Sequence, residues 1–151
     1  MSVFKRSHII SNFQTLRKYN SEHLIVLFDG VCNFCNSTIN FIIKNDTNKR
    51  LRFTTQQSTT GKKLISELTP HKKDESIIFI ENGKILTQAS AIFNICKYLN
   101  WPFKIFYLLA FIPGFISNPI YRLIARNRYK WFGKKEQCMI PTTDIKERFI
   151  G

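Results

Sequence analysis

The chain has 151 residues, enough for one domain, and its 44% hydrophobic and 14% aromatic content supplies the apolar surface for one packed core and argues against disorder. Lys and Arg exceed Asp and Glu by 23 − 10 = 13 charges, a field that attracts nucleic acid, anionic lipid or acidic proteins without choosing among them. The four cysteines, at 32, 35, 96 and 138, are too few and too unevenly spaced for a disulfide-stapled secreted fold, so a reducing, cytoplasmic setting is expected.

Residues 1–22 form an N-terminal extension. Its first twenty residues carry Lys5, Arg6, Arg17 and Lys18 with no acid and lack the continuous apolar stretch of a secretory signal. The basic, acid-free character resembles an organellar transit peptide, but Ile9, Ile10, Phe13 and Leu16 fit an amphipathic helix equally well, and the helix is preferred. Leu24 to Phe28 is an unbroken apolar run closed by Asp29-Gly30, which predicts a strand buried on both faces and α/β architecture. Cys35, Ile39 and Ile42 then recur at helical spacing, so strand, turn and helix meet at Cys32.

Leu51 to Phe53 predicts a second strand, and Gly61, Leu64, Ile65 and Leu68 a helix ended by Pro70, which together open as a βαβ unit. Ile77 to Ile80 and Lys84 to Leu86 flank Asn82-Gly83, whose residues accept the positive φ of a tight hairpin. Thr87 is placed to cap a helix with Ala89, Ile92, Phe93, Cys96 and Leu99 on one face, making Cys96 structural. Ile105 to Ile116 is almost wholly apolar, but it is too short for a membrane span of ~20 residues and is expected to be a core or dimer-contact helix, or less favourably a shallow membrane contact. Asn118-Pro119 predicts the start of a last helix with Ile120, Ile124, Asn127 and Trp131 on one side and Gly133 as its stop. Residues 119–135 hold Arg122, Arg126, Arg128, Lys130, Lys134 and Lys135 with no acid, a candidate surface for an anionic partner. No repeat, linker, second domain or transmembrane span is expected.

The pair Cys32-Asn33-Phe34-Cys35 carries the chemistry. A thiol attacks a disulfide only as thiolate, and a helix N-terminus favours that form through its unpaired N–H groups and dipole. Cys35, one turn on, is placed to resolve a mixed disulfide formed at Cys32. Zinc sites share the spacing, but a second ligand pair is missing: only Cys138 and the scattered His8, His23 and His71 remain. Redox chemistry without a cofactor or metal is therefore preferred. Asp29, three residues before Cys32, is either a turn residue or a proton acceptor whose pKa burial would have to raise.

The run Phe28-Asp29-Gly30-Val31-Cys32-Asn33-Phe34-Cys35 resembles the hallmark of the DCC thiol-disulfide oxidoreductase family, named for Asp-x-x-Cys-x-x-Cys. The hairpin Ser76 to Leu86, the block Ala125-Arg126-Asn127-Arg128-Tyr129, Trp131-Phe132-Gly133 and Cys138 before Pro141 resemble that family's later blocks in order. The resemblance spans residues 24 to 141. It implies an α/β, thioredoxin-like fold: a central mixed sheet flanked by helices, with an extra C-terminal helical segment, in one domain over residues 23–141 followed by a tail at 142–151. It also implies that Asp29, Cys32 and Cys35 form one site, with Arg126 and Arg128 beside it and Cys138 a further candidate for the site. One departure from thioredoxin narrows the expectation, because Asp74-Glu75-Ser76 stands where a proline usually precedes the hairpin and shapes the client groove.

The leading reading is exchange of a Cys32/Cys35 dithiol or disulfide with a protein or small-molecule client, its redox partner unspecified. The alternative is a basic module that binds nucleic acid or anionic membrane, with cysteines that hold zinc or sense oxidation.

Overall fold

The structure is a computed structural model and describes residues 24–68, 77–82, 84–134, 136 and 142–150. Its strands are β1 (Leu24–Phe28), β2 (Leu51–Thr55), β3 (Ile78–Glu81) and β4 (Lys84–Thr87). Its helices are α1 (Asn33–Asn45), α2 (Thr59–Leu68), α3 (Gln88–Cys96), α4 (Gly114–Phe132) and the short α5 (Thr143–Lys146), with a 3-10 segment at Phe103–Phe111. The expected N-terminal helix, the Glu75 region and Cys138 lie outside the described residues.

The strands form one sheet in the order β2-β1-β3-β4. β1 and β2 run parallel, with Leu24 opposite Leu51 and Phe28 opposite Thr55, because α1 carries the chain back between them. β3 lies antiparallel to both β1 and β4, Ile78 facing Thr87 across the hairpin, where Asn82 takes the positive φ of 47° that the turn requires. A βαβ unit followed by a helix, a hairpin and a further helix is the thioredoxin-like arrangement, extended here by α4.

The continuous apolar run of β1 follows from its central place in the sheet, with both faces covered. Val26 and Phe28 join Phe53, Phe79, Ile39 and Ile95 on the side of α1 and α3. Ile25 and Leu27 join Ile78, Ile80 and Leu64 on the side of α2. Gly61 lets α2 close on the end of β2, since a Cβ there would lie 2.0 Å from the Thr55 carbonyl oxygen.

Residues 148–150 cover the open edge of β2. Phe53 N–H donates to the Arg148 carbonyl at 2.8 Å, and Ile150 N–H donates to the Phe53 carbonyl at 2.8 Å. Arg148 is buried there, pairing with Asp46 and donating to the Ile43 carbonyl at 3.2 Å and the Leu51 carbonyl at 3.3 Å, while Asp46 accepts from Leu51 N–H at 2.9 Å.

Three sequence expectations are corrected. The 3-10 segment Phe103–Phe111 buries none of its residues, so the apolar run from Ile105 is not a core helix. α4 begins at Gly114 rather than at Asn118-Pro119, because Pro113 supplies the carbonyl that Ile116 and Ser117 N–H groups reach at 3.0 and 3.3 Å. Pro119 therefore sits inside the helix. Its inward face is set by Ser117, Tyr121 and Arg128, whereas Ile120, Ile124 and Trp131 are exposed. In α3, Gln88, Ala89, Ala91 and Ile95 are buried, as is Leu99 just beyond it, and Cys96 packs half-buried at the margin of the core, where burial pushes its thiol pKa up.

Candidate active site

Cys32 is the N-cap of α1: its extended backbone ends the turn after β1, and its Sγ accepts the Cys35 N–H at 3.4 Å. A negative charge on that sulfur would meet an N–H donor and the positive end of the helix. Cys32 is 0% exposed, whereas Cys35 is half-buried, and both are free thiols. Burial and a hydrogen bond to Cys32 push the Cys35 thiol far above its ordinary pKa, so Cys35 keeps its proton. Cys35 lines a pocket of about 50 Å³ whose other walls include Phe34, Ile39, Ile77 and Tyr121.

The cover over Cys32 comes from the C-terminal end of α4. Phe132 stacks on Phe34 with ring centroids 4.8 Å apart, and Asn33 Nδ2 donates to the Phe132 carbonyl at 3.0 Å. Gly133 then turns at φ 78°, with Asn33 Nδ2 only 3.2 Å from where a Cβ would stand, and Lys134 pairs with Cys32 in an antiparallel bridge.

Asp29, 4% exposed, follows β1 directly and gathers four donors. Its Oδ1 accepts Val31 N–H at 3.2 Å and Gln57 Nε2 at 2.8 Å. Its Oδ2 accepts Arg128 at 3.0 Å and the Tyr129 hydroxyl. Gln57 is itself fixed, its Oε1 accepting Gly30 N–H at 3.0 Å. Burial alone would raise the Asp29 pKa, but the hydrogen bonds from Tyr129, Val31 and Gln57 and the charge of Arg128 together hold it below the usual carboxylate range. Asp29 is thus ionised and a weak proton acceptor, and the raised pKa that a base role required is absent. Burial and the bond to Asp29 push Tyr129 up to about 12, so its hydroxyl stays a donor.

Arg128 brings a buried positive charge to this cluster. Burial opposes that charge, but the Tyr129 hydroxyl and the two cysteines outweigh it and raise the Arg128 pKa, while its own charge favours ionisation of Cys35. Arg126, two residues earlier and on the outer face of α4, is exposed and is not brought to the cysteines. Gln57 and Tyr121 carried no sequence signal, and Tyr129 was visible only as the last residue of a recognised block. Among the described residues no three His, Cys, Asp or Glu side chains gather where a metal ion could sit.

A family model for DCC1-like thiol-disulfide oxidoreductases matches residues 26–134. The Bacillus subtilis (strain 168) protein YuxK is 42% identical over 127 residues, covering 83% of this chain and 93% of its own. A chloroplastic DCC family protein of Arabidopsis thaliana is 37% identical over 116 residues, covering 76% of this chain and 67% of its own. No solved structure matches. With its Asp29, Cys32 and Cys35 arranged as above and most of its length matched, the chain belongs to the DCC1-like thiol-disulfide oxidoreductase family.

Proposed function

We propose that the chain exchanges its Cys32/Cys35 pair with a client disulfide in a reducing compartment such as the cytoplasm. The observation that carries this reading is the Cys32 sulfur at the α1 N-cap, accepting the Cys35 N–H, beside a Cys35 thiol that retains its proton. The Cys32 thiolate attacks one client sulfur, forming a mixed disulfide and releasing the other client sulfur as thiolate. Cys35 attacks Cys32 and its proton passes to the displaced client sulfur, which frees the second client thiol and leaves Cys32–Cys35 as a disulfide. Two electrons pass to the client, and the same steps reversed oxidise a client dithiol.

Asp29 serves in this scheme as a positioning residue: ionised and held by four donors, it fixes Arg128 so that its charge faces the cysteines. The Cys35→Ser variant tests the exchange step, because it forms the mixed disulfide but cannot resolve it. Expected are covalent adducts at Cys32 that dithiothreitol releases, together with a reversible Cys32/Cys35 couple when the unmodified chain is titrated against glutathione. Folded protein that forms neither the adduct nor a reversible couple refutes the mechanism.

A further inference from the structure

The 3-10 segment and the outward side of α4 expose apolar side chains that the core does not use. Phe111 is 76% and Phe115 78% exposed where the two elements join. Ile116, Ile120 and Leu123, all at least half exposed, follow at i, i+4 and i+7 along α4. Exposed Arg122, Arg126 and Lys130 form the adjacent stripe at spacings of four. From Asn82 to Lys135 the chain has no Asp or Glu, so nothing neutralises that stripe from within the segment. A monomer rarely leaves so much contiguous apolar surface to water without a partner for it.

We propose that this face docks the protein on an anionic lipid bilayer, the Phe111–Ile116 corner entering the headgroup layer and the basic stripe meeting lipid phosphates. No helix among the described residues is long and apolar enough to cross a membrane, so the attachment is peripheral. Charge complementarity selects this occupant. A second copy of the same face brings no acidic side chain from 82–135 to the stripe, and residues 1–20 carry four basic residues and no acid. Nucleic acid would use the stripe but leave Phe111 and Phe115 without a role. An anionic bilayer uses both, with each Lys or Arg at its surface strengthening binding roughly fivefold.

The test uses the full chain and vesicles of phosphatidylcholine alone or mixed equally with phosphatidylglycerol. Trp131, 57% exposed seven residues beyond Ile124, reports insertion by a blue shift of its emission in a Trp101→Phe background. Expected are flotation with the mixed vesicles, a blue shift, and little binding to phosphatidylcholine. Arg122→Gln/Arg126→Gln/Lys130→Gln should weaken partition roughly 100-fold. Phe111→Ser/Phe115→Ser should weaken it and abolish the shift, with circular dichroism confirming that both variants fold. Equal affinity for both vesicles, or no affinity for either, overturns the proposal. So does a dimer that Phe111→Ser/Phe115→Ser dissolves, or nucleic-acid binding that the same variant leaves intact, where vesicles are not bound.

Discussion

Asp29→Ala is expected to lower the unfolding free energy by about 3–5 kcal/mol, because it leaves the Arg128 guanidinium buried without its carboxylate. For a chain of this size that is a fall in Tm of roughly 10 °C, read by thermal melts. The pair is a buried one, 4% exposed on each side, so solvent screening does not discount it. Asp29→Ala/Arg128→Met should recover much of the loss, since a buried pair replaced by apolar groups costs far less than a pair broken on one side. The pH dependence has a definite sign. Asp29 has a lower pKa folded than unfolded, so its contribution is present above about pH 4 and fades as pH falls through the folded value. The unmodified chain should lose stability on that acid limb and Asp29→Ala should lose less. Equal melting temperatures for the variant and its parent at pH 7 would show that the carboxylate does not hold Arg128.

The physics of the site explains how much of it the sequence disclosed. Local features were legible: the run Leu24 to Phe28 marked a strand buried on both sides, and Cys32 marked the junction of strand and helix. The Asp29 carboxylate was legible as a residue but not as an environment. Its partners come from the turn after β2 at Gln57 and from α4 at Arg128 and Tyr129, about a hundred residues away in the case of α4, and periodicity has no means of joining them. Those distant partners, together with the neighbouring Val31 N–H, also set the direction of the pKa, which is why an acid expected to need a raised value shows a lowered one. Arg148 escaped notice for the same reason, being one basic residue among many until the fold sets it on Asp46. α4 misled in a different way. An apolar stripe normally marks the buried side of a helix, yet here Ile120 and Ile124 face outward and a polar set led by Ser117 and Arg128 faces in. The inward side of this helix is polar where Arg128 meets Asp29, and the apolar side chains on its outward side lie where the core does not reach.

The proposed exchange requires a client to reach Cys32, and in the described structure Cys32 is fully covered while Cys35 is not. The cover rests on small contacts: the Phe34–Phe132 stack, one hydrogen bond from Asn33, and the pairing of Lys134 with Cys32. An aromatic pair and a neutral hydrogen bond are each worth about 1 kcal/mol, so removing both should shift the balance toward the open form by roughly 30-fold. Asn33→Ala/Phe132→Ala is therefore expected to speed iodoacetamide labelling of Cys32 by roughly that factor while Cys96 labelling stays constant as an internal control. The comparison is made by mass spectrometry in a Cys35→Ser background, so that only one thiol of the pair reports. Because Asn33 and Phe132 lie at the surface end of the contact rather than in either core cluster, the variant should melt within a few degrees of its parent. Unchanged labelling in a folded variant would mean that another part of the chain closes the site. Accelerated labelling would place access to the pair under the control of α4, the same helix that anchors Asp29 through Arg128.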